Sequence, residues 1–452
     1  MGSCALALAA AAVTATIPVA GATPVTSNWL GYHGGGVGAG VAYGIAAVET
    51  AHRAWTSPVL DGQIYGEPLV VGPEVVVATE NDSVYALSAK SGAVLWRHHV
   101  ATPVPAAMLP CGDITPRVGI TGTPVIDAAR REIFVVALHY NAGHPVHVMF
   151  GLSAATGAVE LRRNLPTPTS DQLTYLSRAG LALDHGSVIY AFGGNFGDCP
   201  TYHGVVGSLR EDGSQGPHSY VVASGAGQSQ GAVWMGGAAP AVDAKGRVWV
   251  ASGNGAATSP LQAYDHSDAV LELTSSMRLV SFFAPNLWAQ DNAADADLSV
   301  TPVLAPHELV VAVGKAGRIY VLAASHLGGV GGQLVVKDSG CGNVLIGGAA
   351  SVGSTIYLPC LSGPEAIRVA ANPAGVRVLW HSSYGGGPPI VAASRVWTIG
   401  NDGVLYGLNI ATGQLVQRAT LGPLANHFST PSVGAGLLLA ALATQVVAFP
   451  AR

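Results

Sequence analysis

The chain has 452 residues, a net charge of -5 and a pI near 6.3, with only four lysines, so neither a phosphate-binding stripe nor a polybasic lipid anchor is encoded. Nucleic acid is thereby excluded as an expected partner. Charged residues make up 10% of the chain and glycines number 59, a composition of short apolar strands joined by tight turns. Taken from the N-terminus, the first element is an apolar small-residue run, Cys4 to Val19, followed by Ala20-Gly21-Ala22. An A-x-A-like site after such a run reads as a secretory signal ending near Ala22, and residues 1–22 are assigned to it. The first basic residue is Arg53, so the usual positive start is missing, and a short N-terminal anchor is the competing account. Residues 23–50 form a glycine-dense lead-in, and Gly34 to Gly40 opens no βαβ unit that would cradle a phosphate.

From residue 51 onward one phrase is repeated. Its clearest copy is Val84-Tyr85-Ala86-Leu87-Ser88-Ala89-Lys90-Ser91-Gly92-Ala93-Val94-Leu95-Trp96, two β-rich runs around a polar turn, ending on Trp. Apolar openings fall at Pro68, Pro124, Leu181, Pro240, Pro302, Ala350, Pro389 and Pro431. Eight openings with room for four short strands each predict an all-β, eight-bladed β-propeller over residues 51–452. The last repeat stops at Phe449 without a Trp-ended outer strand, whereas His52-Arg53-Ala54-Trp55 is a spare one. Trp55 is therefore expected to complete the last blade, as Trp96 and Trp380 complete theirs, which removes a sheet edge. Val433 to Phe449 is apolar enough to tempt a membrane assignment, but the repeat register makes it two strands, and no transmembrane span is expected in the mature chain.

Export gives the cysteines meaning. Four follow Cys4, and three pairings are possible. The expected bridges are Cys341 with Cys360, flanking one strand pair of the sixth blade, and Cys111 with Cys199, on loops able to meet beside the central channel; four free buried thiols are the alternative. Gly227-Gln228-Ser229-Gln230-Gly231 fits a hydrolase nucleophile elbow in letters only, because no helical pattern follows. His98-His99 lacks a third ligand nearby in sequence.

The Ala-Leu-x-Ala-x-x-Gly-x-x-x-Trp phrase at Ala86 to Trp96 resembles the repeat of pyrroloquinoline quinone (PQQ)-type propellers, the quinoprotein alcohol dehydrogenase-like superfamily, over roughly residues 29 to 452. Tyr202-His203-Gly204, Val250 to Gly255 and Asp295 to Leu298 look like segments of exported bacterial PQQ-like repeat proteins. The superfamily contains both dehydrogenases and non-catalytic members, including a scaffold of outer-membrane protein assembly. In the dehydrogenases an acid in the third blade, an Asn in a Gly-Asn turn, a catalytic Asp and a basic residue before a Gly-x-x-Tyr-Val-Leu strand hold Ca²⁺ and PQQ. The resemblance carries these onto Asp198 and Asn254 as metal ligands, Asp295 as ligand and catalytic base with Asp297 as substitute, and Lys315 as the quinone contact. The adjacent Cys-Cys pair that caps the quinone in many of these enzymes is absent. The leading expectation is thus a non-catalytic binding or scaffold module, with no cofactor, that meets a protein, an envelope glycan or a small ligand at the channel mouth. The alternative is a PQQ- and Ca²⁺-dependent dehydrogenase of an alcohol or sugar.

Overall fold

Strand formation follows the repeat. The computed structural model describes residues 28–199, 201–342, 344–426 and 428–452; the expected signal segment, residues 1–22 with Cys4, lies outside them. In blade one the strands are Leu69–Val71, Glu74–Thr79, Ser83–Ser88 and Val94–His99, running outward in that order. The two middle strands are buried nearly end to end, while Val94–His99 alternates towards solvent. Middle strands have neighbouring blades on both faces, so unbroken Val and Leu runs are stable there, whereas the outermost strand has one wet edge.

The other blades repeat this plan, their innermost strands being Val125–Asp127, Ala182–Asp184, Ala241–Val242, Val303–Ala305, Ala350–Val352, Ile390–Ala392 and Ser432–Gly434. Every innermost strand begins at the expected opening or one residue after it. Blade eight takes its fourth strand from the N-terminal side: Trp55 and Thr56 pair antiparallel with Ala448 and Val447. The apolar stretch 433–449 is the inner part of this blade, with strands Leu437–Ala441 and Val446–Pro450, and no helix among the described residues is long and apolar enough to cross a membrane.

Turns between first and second strands lie on one face of the ring, the hairpin face. Loops after second and fourth strands lie on the other, the mouth face. The glycine-dense lead-in is not a surface loop, since residues 29–42 fill the axis. Trp29 bridges Val70 of blade one, Leu30 accepts from the Ile126 amide, Gly36 from Val242, Ala39 from Ser351, and Val41–Ala42 runs parallel to Ile390–Ala392. The plug leaves by the hairpin face, where Val48 bridges Ala451. Glu67 anchors its tip by accepting from Trp29 Nε1 and the His33 amide, both at 2.8 Å. Gly34, Gly35, Gly36, Gly38 and Gly40 all have positive φ, the backbone state a glycine adopts without strain in so narrow a space.

Candidate functional site at the channel mouth

Three sequence-derived candidates meet on the mouth face. Asn254 follows the second strand of blade four, Val248–Ser252. Asp295 and Asp297 lie on the connection to blade five, after the short helix Trp288–Ala293. Lys315 follows the second strand of blade five, Leu309–Val313. Lys315 Nζ donates to Asp295 Oδ1 at 2.5 Å and stands 3.0 Å from Asp297 Oδ1, while Asn254 Nδ2 donates to the same Asp295 oxygen at 2.6 Å.

Backbone packing sets this geometry. A Cβ on Gly253 would collide with the Asp297 carboxylate, and one on Gly314 with the Asp297 carbonyl oxygen, so both glycines admit the connection 295–298 against the strand ends. Asp268, itself buried, accepts from the Leu298 amide at 2.8 Å and fixes that connection from behind.

The pair is electrostatically uneven. Asp297 is 1% exposed and Asp295 is 68% exposed. Burial pushes the Asp297 carboxyl above its ordinary range, an effect that Lys315 opposes. Burial would lower the Lys315 ammonium, but Asp297 and Asp295 outweigh it and hold the group above its usual value. The ammonium also lies 5.2 Å from the centroid of the Trp234 ring.

Asp198 stands apart from this set. It lies on the exposed loop after Ser187–Gly194 of blade three and accepts from Tyr202 Oη at 2.6 Å. The buried Tyr202 hydroxyl is pushed up by burial first, then by Asp198, with smaller contributions from Asp297 and Asp295. Among the described residues no hydrogen bond or ion pair joins Asp198 to Asn254, Asp295 or Lys315. Sequence reasoning gave Asp297 only a substitute's place and missed Trp234; a Trp outside the repeated phrase was the available signal.

These residues do not fit a resident Ca²⁺ and PQQ as arranged. The cation between the two carboxylates is Lys315, Asn254 turns an N–H donor towards Asp295, and Asp198 is engaged by Tyr202. A shared metal would require Asn254 to reverse its amide and Asp198 to turn inward, whereas Asp295 could offer its second oxygen without leaving Lys315.

The cysteines flank this face. Cys111 and Cys199 are joined with Cα atoms 6.1 Å apart, and Cys341 and Cys360 with Cα atoms 5.7 Å apart, both spans compatible with a disulfide. The first bridge borders a cleft of about 410 Å³ lined by Leu109, Ile114, Val118, Leu176, Asp113 and Phe196. Gly227 to Gly231 lies in a loop and is followed by a three-residue 3-10 turn, Met235–Gly237, and not by the α-helix that a nucleophile elbow needs.

A family model described as outer membrane protein assembly factor BamB matches residues 37–195. Among solved structures, the quinohemoprotein alcohol dehydrogenase ADHIIG of Pseudomonas putida HK5 aligns with a TM-score of 0.69 at 12% identity, covering 94% of this chain and 80% of that one. A europium-containing methanol dehydrogenase aligns at 0.66 and 12%, covering 94% and 98%. BamB from Moraxella catarrhalis aligns at 0.59 and 15%, covering 89% and 100%. No curated protein matches the sequence. At these identities the structural likeness is one of fold. The eight blades define a closed β-propeller. The family model spans less than half of the chain, and the solved structures share its propeller fold.

Proposed function

We propose that the protein is a non-catalytic scaffold that binds a protein partner through the loops of its mouth face. The observation that carries this reading is the engagement of the candidate ligands: Asn254 turns its amide N–H to Asp295, and Asp198 is held by Tyr202 apart from the others. The surroundings suit a protein surface. Phe196 and Leu261 are 73% and 95% exposed on loops of blades three and four, with Asp113, Asp198 and Asp295 exposed on the same face. Large apolar groups set among carboxylates match a partner segment carrying apolar and basic side chains. The BamB fold match supports a protein partner over a glycan or small molecule. Work outside the cytoplasm is part of this proposal and is supported by the two cysteine bridges.

A second reading, a PQQ- and Ca²⁺-dependent dehydrogenase, draws on one observation. Asn254 Oδ1 is buried without a hydrogen-bond partner, an acceptor that a hard cation could use after rearrangement. Titration of the purified protein with PQQ and Ca²⁺, followed by alcohols and aldoses with an artificial electron acceptor, separates the two. The scaffold reading expects no dye reduction, together with site-specific photo-crosslinking from positions 196 and 261 to one envelope protein. Dye reduction abolished by Asp295→Ala would establish the dehydrogenase instead.

A further inference from the structure

Outside the channel mouth, one group of side chains has the chemistry of a soft-metal site. Cys341 lies on the loop entering blade six, Cys360 follows its second strand, Thr355–Leu358, and His381 ends its outer strand, Ala374–His381. One ligand atom from each of the three lies within 4.8 Å of those from the other two. A fourth residue is a neighbour of this group in the sheet. Glu365 is paired in register with His381 on the adjacent strand, so both side chains emerge on one face of the sheet. Its Oε2 accepts from the Gly340 amide, next to Cys341, at 2.6 Å, and its Oε1 is buried with no hydrogen-bond partner. Glu365 is fully buried, so this orphan oxygen is an uncompensated acceptor on the strand next to His381, outside the 4.8 Å grouping of the two sulfurs and the imidazole.

We propose that Cys341, Cys360 and His381, with Glu365 as the fourth donor, form a thiophilic metal site of the Zn²⁺ class when the Cys341–Cys360 bridge is reduced. The bridge and the metal site are alternative states of one cluster. A dithiol reductant supplies two electrons and two protons: the S–S bond breaks, two S–H groups form, and the reductant leaves as its own disulfide. The cation then displaces both thiol protons and takes two thiolates, one imidazole nitrogen and one carboxylate oxygen. Ligand atoms around a tetrahedral zinc are roughly 3.5 Å from one another, and these three already lie within 4.8 Å of one another. Two thiolates select Zn²⁺ over Ca²⁺ or Mg²⁺, whose ligands are oxygens. This site uses none of the side chains of the Asp295–Lys315 cluster and does not rest on either reading of it. Bound metal would tie the entry loop to the blade by three protein ligands beyond Cys341, where the disulfide uses one.

The test uses the full chain with Co²⁺ as the spectroscopic probe. Reduced wild-type protein is expected to take up one Co²⁺ with thiolate-to-metal absorption, His381→Ala to weaken binding about tenfold or more, and oxidised protein to show no such band. Zn²⁺ should protect Cys341 and Cys360 from alkylation in reduced protein while Cys111 and Cys199 remain modifiable, which peptide mapping reads without any variant. The site is overturned by an undiminished band in Cys341→Ser/Cys360→Ser, by equal alkylation of all four thiols with and without Zn²⁺, or by unchanged affinity in the His381 variant.

Discussion

Trp55 donates from its indole Nε1 to the carbonyl of Ala89 at 2.8 Å, so the strand that closes blade eight is latched onto the turn of blade one. Gly92, at φ +70°, lies beneath that indole, and a Cβ there would stand 2.5 Å from it. The same latch joins blade one to two through Trp96 and Ala154 at 3.0 Å over Gly157, and blade six to seven through Trp380 and Ile410 at 3.2 Å over Gly413. The repeated phrase is therefore an instruction for joining neighbours: its Trp reaches forward to the Gly turn of the next copy.

Trp55→Ala should cost about 3–5 kcal/mol of stability, the usual range for removing a buried indole, because packing and the closing hydrogen bond go together. Gly92→Ala should destabilise as well, by strain at positive φ and by displacing the indole. Urea denaturation measures both; an unchanged midpoint in Trp55→Ala would mean that the ring closes without its latch.

Lys315→Met leaves Asp297 buried without its countercharge. Near neutral pH the loss should be about 3–5 kcal/mol, as for breaking a buried ion pair from one side. Asp297→Asn in the same background should recover most of it. The Asp297 carboxyl is already raised above its unfolded value, so the penalty arises on ionisation and should shrink as the pH falls towards that value. A loss of equal size at acid and neutral pH would contradict this account.

His33 and Glu80 should give pH dependence of opposite sign. Burial lowers the His33 imidazole from 6.5 to about 3, so the unfolded chain binds the extra proton across that window. Stability from His33 is full above 6.5 and is lost as the pH falls towards 3, and His33→Gln should flatten this acid limb. Glu80 is raised by burial from 4.5 to about 7, so its contribution is full below 4.5 and is lost as the pH rises through 7. Glu80→Gln should therefore gain stability relative to wild type on the alkaline side. Parallel denaturation series across both windows decide it, and identical pH profiles for wild type and both variants would refute the assignments.

Non-reducing peptide mapping should recover Cys111 with Cys199 and Cys341 with Cys360 from protein secreted through an oxidising compartment. Any crossed pair would be incompatible with the fold, because the two bridges belong to different sectors of the ring.

Much of the fold was legible because the ring is built by repetition. Pro68 and Leu69, or Pro431 and Ser432, mark innermost strands by the same local chemistry, and Trp55 is recognisable as a displaced member of the series. The plug was not legible. Gly34 to Gly40 has neither the period of a helix nor that of a strand, and its partners, Val242, Ser351 and Val391, are hundreds of residues away. The site was half legible for a related reason. Asn254 and Lys315 sit at fixed offsets after predictable strands, whereas the choice between Asp295 and Asp297 depends on how the connection after Trp288–Ala293 turns, and no local pattern states which carboxylate goes inward.

The plug also gives the molecule a direction. Asn28 accepts from the Gly72 amide in the first hairpin turn, and the Arg452 carbonyl accepts from Ala46 and Ala47, so both ends of the described chain lie on the hairpin face. Asn28 and Arg452 thus both lie on the side opposite Asp295 and Lys315. The ring is a cup with its axis filled by the chain's own lead-in and with the Asp295–Lys315 cluster at the opposite rim.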